Sequence, residues 1–323
     1  MNVLLVKTSS MGDIIHTLPA LTDAGKIFPD IKFDWVVEEN FVEIPGWNSL
    51  VNQIIPIALR RWRKSILTTL RNNEWRLFYK ALTAKQYDLI IDAQSLIKSA
   101  VITKLARGEC YGLDKNSARE SLASLLYKHK VFIPKEQPAI ARIRQLFSKV
   151  LKYDLPNTEP DYGINLSLNS TVDNSYLVFL HGTTSNDKCW AESNWIALAK
   201  FAAQKNYLVQ LAWSNDSEYK RVCNIAGKCD NVKILPKSNL TVLANVIKNA
   251  KGVVAVDTGL GHLAAAFKKP MVSLYGPSDP KLVGTGIYNP FGTDLKSEQK
   301  ILLYNIPVLP VWKALQKQIE RYT

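Results

Sequence analysis

Two series of short apolar runs, separated by amphipathic stretches, constrain this chain more than any other feature of its sequence. VLLV (3–6), FDWVV (33–37), VNQIIPI (51–57) and DLIIDAQ (88–94) alternate with helix-like segments such as the amphipathic run from Ile14 to Ile27. Apolar strands bounded by helices belong to a mostly parallel sheet covered on both faces. The pattern stops after a helix-like stretch, Ala139 to Tyr153, in LPNTEPDYGINLSLNSTVDNS (155–175), which has the composition of a linker. It then restarts with YLVFLHGTT (176–184), a helix through WIALAKFAAQK, YLVQLAW (207–213), VKIL (232–235), GVVAVDTG (252–259) and PMVSLYG (270–276). The expected class is α/β, with doubly wound domains over 1–155 and 175–305. A closing helix over 306–323 places Trp312, Leu315 and Ile319 on one face. A length of 323 residues agrees, being more than one core of roughly 150 residues requires.

Composition removes several classes. At 47% hydrophobic and 21% charged residues the chain is not disordered. No apolar stretch approaches the ~20 residues of a membrane span, and Val3 to Val6 is too short for a signal peptide, so a cytoplasmic protein is expected. Cys110, Cys189, Cys223 and Cys229 form no CxxC pair and have no histidine at zinc-finger spacing, which reads as reduced thiols and no metal site. The formal charge of +13 implies an anionic partner: nucleic acid, an acidic membrane surface or a phosphorylated substrate.

Ligands of open α/β sheets collect beyond the carboxyl ends of strands, and three segments occupy that place. In VKTSSMGDIIHTLPA (6–20), Asp13 stands in the crevice, or Ser9, Ser10 and Asp13 cap a helix beginning near Ile14. In GVVAVDTGLGHLAAA (252–266), a strand ends at Asp257 and Thr258-Gly259-Leu260-Gly261-His262 leads into a small-residue helix whose N-terminus suits a phosphate. Alternatively Asp257 and Thr258 cap that helix while Gly261 permits tight packing. In HGTTSNDKCW (181–190), Thr183, Thr184 and Ser185 can donate hydrogen bonds to phosphate oxygens, and Lys188 is a point charge for a departing diphosphate or a solvated loop lysine. Neither loop is a P-loop or a GxGxxG fingerprint, so ATPase and dehydrogenase readings lose support. LRRWRKSILTTLRNNEWRLFYK (59–80) sets Arg60, Arg61, Arg63, Lys64, Arg71, Arg76 and Lys80 beside Trp62, Trp75, Phe78 and Tyr79, and no nearby acidic residue is seen to neutralise the first four. Such a segment can meet carboxylates, phosphates and a membrane interface, or be a solvated basic helix.

VKTSSMGDIIHTLPALTDA, IKFDWVVEE, RRWRK, IDAQSLIKSA, HGTTSNDKCW, VDTGLGHLAAA and YGPSDP together resemble glycosyltransferase family 9, from residue 1 to about 285. The resemblance implies the GT-B architecture, two Rossmann-like domains facing across a cleft. It implies an inverting transfer of L-glycero-D-manno-heptose from ADP-heptose, the only cosubstrate, to the inner Kdo of Kdo2-lipid A. The N-terminal domain then binds acceptor and the C-terminal domain donor, on the cytoplasmic face of the inner membrane, in peripheral contact with anionic lipid and without nucleic acid. Carried over residue by residue, Asp13 is the general base. Lys188 with Thr183 and Thr184 forms the donor phosphate site, Asp257, Thr258, Gly259 and His262 the D-T-G-x-x-H motif, and Glu218 the ribose site. Arg60, Arg61, Arg63, Lys64, Lys98 and Arg119 become acceptor contacts.

An inverting transfer needs a base on the acceptor hydroxyl and a cation or donors at the leaving diphosphate. Many glycosyltransferases meet the second need with a divalent metal held by Asp-x-Asp. That motif is missing from the chain, so metal-independent chemistry through lysine, hydroxyls and a helix N-terminus is expected. Three alternatives stand beside this reading: a heptosyltransferase adding a later core heptose, a nucleotide-sugar epimerase on a similar scaffold, and a basic nucleic-acid-binding protein.

Overall fold

The computed structural model describes residues 1–64, 73–166, 175–183, 188–297 and 306–322. The chain divides into two compact units, Met1–Asn165 and Leu166–Thr323. Unit 1 is built on six parallel strands, β1 (Asn2–Val6), β2 (Lys32–Glu38), β3 (Val51–Ile57), β4 (Leu89–Asp92), β5 (Glu109–Leu113) and β6 (His129–Val131), in the order β3-β2-β1-β4-β5-β6. Its helices are α1 (Met11–Ile15), α2 (Leu18–Ile27), α3 (Glu43–Gly46), α4 (Leu59–Lys64), α5 (Glu74–Leu82), α6 (Ile97–Leu105) and α7 (Ala139–Leu151). The central strand β1 is buried from Val3 to Val6, as an uninterrupted apolar run requires.

The stretch Ile14 to Ile27 is two helices rather than the one that its periodicity suggests. Pro19 lies in the first turn of α2, where its missing N–H costs nothing; inside a continuous helix it would leave a carbonyl one turn back without a donor. Gly12 and Asp13 accordingly stand in the first turn of α1, not in a loop before a helix. Strands β5 and β6 escaped the sequence reading because ECYGL and HKV mix charge and glycine with few apolar residues.

Much of 155–166, the described part of the stretch read above as linker before β7, is bound to unit 1. Arg144 of α7 donates to the buried carboxylate of Asp23 in α2 through Nε at 2.6 Å and Nη2 at 3.3 Å, and to the carbonyls of Thr158 at 3.0 Å and Pro156 at 3.2 Å. The amide of Asn165 donates to the carbonyl of Trp47 at 2.8 Å. Gly163, at φ +56°, makes the turn in this segment, where a side chain would strike Thr22 and Asn48.

Unit 2 repeats the plan. Strands β7 (Tyr176–Leu180), β8 (Leu208–Leu211), β9 (Val232–Ile234), β10 (Gly252–Val256), β11 (Met271–Tyr275) and β12 (Gly292–Lys296) are parallel in the order β12-β11-β10-β7-β8-β9. Counted within each unit, both orders are 3-2-1-4-5-6, so in each the first and fourth strands lie side by side at the point where the winding reverses. The helices are α8 (Glu192–Ala203), α9 (Asp216–Ala226), α10 (Leu240–Asn249), α11 (Gly259–Ala266), α12 (Pro280–Val283) and α13 (Val308–Tyr322). Val311, Trp312, Leu315 and Ile319 of α13 enter the same buried cluster as Trp190, Trp195 and Phe179. Among the described residues no helix is long and apolar enough to cross a membrane.

Candidate active site

In unit 1 the reversal point lies between the loops that follow β1 and β4. Ser10 is the N-cap of α1, and its backbone N–H and hydroxyl donate to Oδ2 of Asp13 at 3.0 and 2.8 Å. Ser10 and Asp13 do make a cap, but for a helix that begins at Met11 and not near Ile14, and Ser9 is held elsewhere. The other oxygen, Oδ1, lies 3.7 Å from Nζ of Lys7, a buried ammonium that also donates to the carbonyl of Ala93 at 2.9 Å. Burial works to raise the Asp13 carboxyl, but Lys7, the Ser10 donors and the charge of His16 outweigh it and hold it well below the usual carboxylate range. With 30% of its side chain still exposed, Asp13 is an ionised carboxylate that solvent reaches.

A second layer of contacts fixes the loop. Oε1 of Gln94 accepts from the amide and hydroxyl of Thr8, at 2.6 and 2.8 Å, and from the amide of Ser9 at 3.2 Å. The buried carboxylate of Asp92 in turn accepts from the amides of Gln94 and Ser95 and from the hydroxyl of Tyr127, at 2.8, 2.9 and 2.8 Å. Burial pushes both the Asp92 carboxyl and the Tyr127 hydroxyl up. Sequence reasoning passed over Lys7 and Gln94; the available signal was their position after the first and fourth strands.

The basic segment is less uniform than its sequence suggests. Arg61 is gripped by Glu39, with Nε at 3.1 Å and Nη2 at 2.9 Å, and by Glu74 of α5 at 3.0 Å from Nη1. The expectation that no acidic residue neutralises the cluster is therefore corrected at this position: the partners arrive from other elements. The guanidinium of Arg60 lies over the ring of Phe41, its amide donates to Glu38, and Arg63 and Lys64 are exposed. Trp62 donates to Glu74 and packs edge-on against Phe78 beside the core, whereas Trp75 and Tyr79 face outward. Arg71 lies outside the described residues. Lys98 sits in the first turn of α6, which starts just beyond β4. Arg119 is exposed and precedes Glu120, whose carboxylate accepts from the amide of Ile97 at the start of that helix, at 2.6 Å.

In unit 2, His181, Gly182 and Thr183 follow β7; Thr184 lies outside the described residues. Lys188 is not a free loop lysine. Its Nζ donates to Oδ2 of Asp257, beyond β10, at 2.6 Å, and that oxygen also accepts from Ser278 Oγ at 2.5 Å. Burial raises the Asp257 carboxyl, but Lys188, Ser278 and the charge of His262 bring it below its ordinary value. Asp257 thus orients a lysine instead of capping α11. Thr258 is the N-cap residue and makes no side-chain cap bond, so the helix start carries backbone N–H groups without that partner. A Cβ on Gly261 would come within 3.2 Å of Ala255, which is the tight packing foreseen for it, and His262 is buried. Glu218, in the first turn of α9, accepts from Ser214 N and Oγ at 2.7 Å each, and a Cβ on Gly182 would stand 2.8 Å from its Oε1. A side chain at position 182 would push that carboxylate away from the strand end.

The two units therefore carry complementary equipment at equivalent places: an anion steadied by a buried lysine after the first strand of one, a cation steadied by an aspartate after the first strand of the other. The former can take a proton, and the latter, with a helix N-terminus, can take a diphosphate. Among the described residues no group of three His, Cys, Asp or Glu side chains could hold a metal ion.

The sequence profile of Glycosyltransferase family 9 (heptosyltransferase) matches residues 75–303. Lipopolysaccharide heptosyltransferase 1 of Pseudomonas aeruginosa is 48% identical over 287 residues, which span 88% of this chain and 81% of that protein. Among solved structures, E. coli heptosyltransferase WaaC with ADP matches with a TM-score of 0.91 at 44% identity, over 98% of this chain and 100% of that one. The same enzyme with ADP-2-deoxy-2-fluoro heptose matches with a TM-score of 0.88 at 43% identity, over the whole of both chains.

Proposed function

We propose, since the chain belongs to glycosyltransferase family 9, that it transfers L-glycero-D-manno-heptose from ADP-heptose to the inner Kdo of Kdo2-lipid A with inversion. The donor assignment is supported by the ADP and the fluorinated ADP-heptose bound to the E. coli enzyme; the name of the 48%-identical relative supports a lipopolysaccharide acceptor, and the choice of the inner Kdo rests on the family resemblance. Asp13 takes the proton of the acceptor hydroxyl. The oxygen attacks the anomeric carbon from the face opposite the nucleotide, the bond to the diphosphate oxygen breaks, and ADP leaves with the electron pair. A carboxylate as acidic as Asp13 is a weak base toward a free sugar alcohol. Proton transfer is therefore late, once bond formation has made the hydroxyl acidic.

Lys188, Thr183, Thr184 and the N-terminus of α11 receive the charge growing on the diphosphate. Asp257 keeps Lys188 in place, with Thr258, Gly259 and His262 completing the motif, and Glu218 binds the ribose hydroxyls. On the acceptor side Arg60, Arg63, Lys64, Lys98 and Arg119 meet the carboxylates of Kdo and the phosphates of lipid A, and Arg61 holds the shape of the segment. Lysine and backbone dipoles take the part that an Asp-x-Asp metal takes in other glycosyltransferases, and the enzyme works at the cytoplasmic face of the inner membrane in peripheral contact with anionic lipid.

The observation carrying the mechanism is the Asp13 carboxylate, ionised by Lys7 and Ser10 yet open on one side. Asp13→Asn should lower turnover with ADP-heptose and Kdo2-lipid A by roughly 10²-fold or more, with ADP affinity by calorimetry unchanged. Normal turnover in the variant would remove Asp13 from the mechanism. Absence of product with the unaltered enzyme would overturn the substrate assignment.

A further inference from the structure

We infer that helix α6 and the 3-10 segment Ser121–Leu126 form one face that lies flat on an anionic lipid bilayer. Helix α6 turns Ser99, Ala100, Ile102 and Thr103 inward and leaves Ile97, Val101 and Leu105, at i, i+4 and i+8, exposed by 43%, 44% and 46%. Beside it Leu122 and Leu125 are exposed by 62% and 71%, and three-residue spacing sets them on the same side of a 3-10 turn. The two elements are packed together through Ala100, Ala123 and Tyr127, so the five aliphatic side chains belong to one surface.

The charges around this surface indicate its occupant. From Ala93 to Gly108 the chain holds Lys98, Lys104 and Arg107 and no acidic residue. The nearest acids are committed: Glu120 accepts from the amide of Ile97, and Glu109 is paired with Lys128 and His129. An apolar row fringed by cations matches the boundary between acyl chains and anionic headgroups, where aliphatic groups enter and lysines remain at the phosphates. A second copy of the chain fits this face less well, since a two-fold contact would set its lysines against one another. Because α6 begins just beyond β4, whose loop holds Thr8 and Ser9 through Gln94, a face resting on the bilayer brings the start of α1 with Asp13 toward the membrane surface. The inference gives a surface to the peripheral lipid contact proposed above, and its benefit to Asp13 rests on the lipid-anchored acceptor of that reading.

The test is flotation of the full chain with vesicles of phosphatidylcholine alone and of phosphatidylcholine with phosphatidylglycerol, without sugar donor or acceptor. Binding to the mixed vesicles, weakened by salt, is expected. Leu122→Gln with Leu125→Gln should reduce the partition coefficient roughly tenfold, as should Val101→Gln with Leu105→Gln, with unchanged melting temperatures because these side chains are solvent-exposed. Leu125→Trp should add an emission component that moves to the blue on mixed vesicles, which decides the matter even if a double variant folds poorly. Failure of the unaltered chain to bind, equal binding by the double variants, or an added emission that stays unmoved in Leu125→Trp overturns the inference. So does sedimentation showing that these leucines hold two copies together. Heptosyl transfer without vesicle binding would sink this inference and the peripheral lipid contact while leaving the assigned reaction standing, and vesicle binding without transfer would sink only the assigned reaction.

Discussion

Lys7→Met removes the ammonium facing Asp13 while keeping most of the side-chain volume. Two unit charges 3.7 Å apart attract by about 4–5 kcal/mol at an effective dielectric of about 20. Solvent reaches Asp13, so about half of that is expected to act, which at about 1.4 kcal/mol per pH unit is a displacement of roughly two units. The direction follows from the balance at Asp13: burial raises its pKa, and Lys7 is the largest influence lowering it, so the variant's carboxyl titrates at higher pH. In the unaltered enzyme the lowered carboxyl contributes stability that is complete above the ordinary carboxylate pKa of about 3.9 and is lost as pH falls through its folded value; the variant lacks that contribution. The kcat/KM profile, measured by ADP release, should be flat on the acid side for the unaltered enzyme and acquire an acid limb roughly two units higher in Lys7→Met. Lys7→Arg should keep the flat profile. Loss of the bond to the Ala93 carbonyl costs about 1–2 kcal/mol of stability without moving the profile. Coincident profiles for Lys7→Met and the unaltered enzyme would refute the reasoning, because Lys7 would then not govern the ionisation on which turnover depends.

Lys188→Ala should weaken ADP binding roughly 10- to 100-fold by calorimetry, the worth of a charge-assisted hydrogen bond, while excess EDTA leaves turnover of the unaltered enzyme intact; abolition by chelation and rescue by Mg²⁺ would displace the lysine account. Converting Arg60, Arg63 and Lys64 together to Gln should raise acceptor KM and flatten its salt dependence with donor KM unmoved. Arg61→Gln, at a position already gripped by Glu39 and Glu74, should change acceptor KM by roughly twofold or less. Arg144→Met, which strands the buried Asp23 carboxylate, should cost about 3–5 kcal/mol in urea unfolding, and adding Asp23→Leu should recover most of it; a cost below about 1 kcal/mol would show the pair to be dispensable.

The parallel sheets were legible because strands buried on both faces must be apolar at every position, as VLLV and GVVAV are. Strands β5, β6 and β12 were not, since ECYGL, HKV and GTDLK interleave apolar residues with charge and glycine. Periodicity also ran through Pro19, whose effect depends on one missing N–H and not on hydrophobicity. Lys188 and Asp257 could each be picked from a motif, but their contact spans 69 positions and exists only because β7 and β10 are neighbours. Arg61 looked uncompensated for the same reason, its partners being 22 and 13 residues away. The roles given to these residues came from resemblance to a family; spacing alone left base and helix cap as equal readings of Asp13, and the side chain in fact makes the cap bond while remaining reachable.

The side chain of Gln94 has a consequence for the order in which the molecule assembles. Thr8 and Ser9 receive their acceptor from a residue 86 and 85 positions later, so the turn carrying Asp13 cannot settle while only the first three strands exist. A nascent chain stopping short of β4 can close the local contact of Ser10 with Asp13, but the amides before it stay unclaimed until a loop of some eighty residues has been drawn shut. Maturation of the turn is thereby tied to completion of the sheet. In native-state hydrogen exchange, the amides of Thr8 and Ser9 should open in step with those of Gln94 and Ser95, as one cooperative unit, and more slowly than the start of α1 beside them.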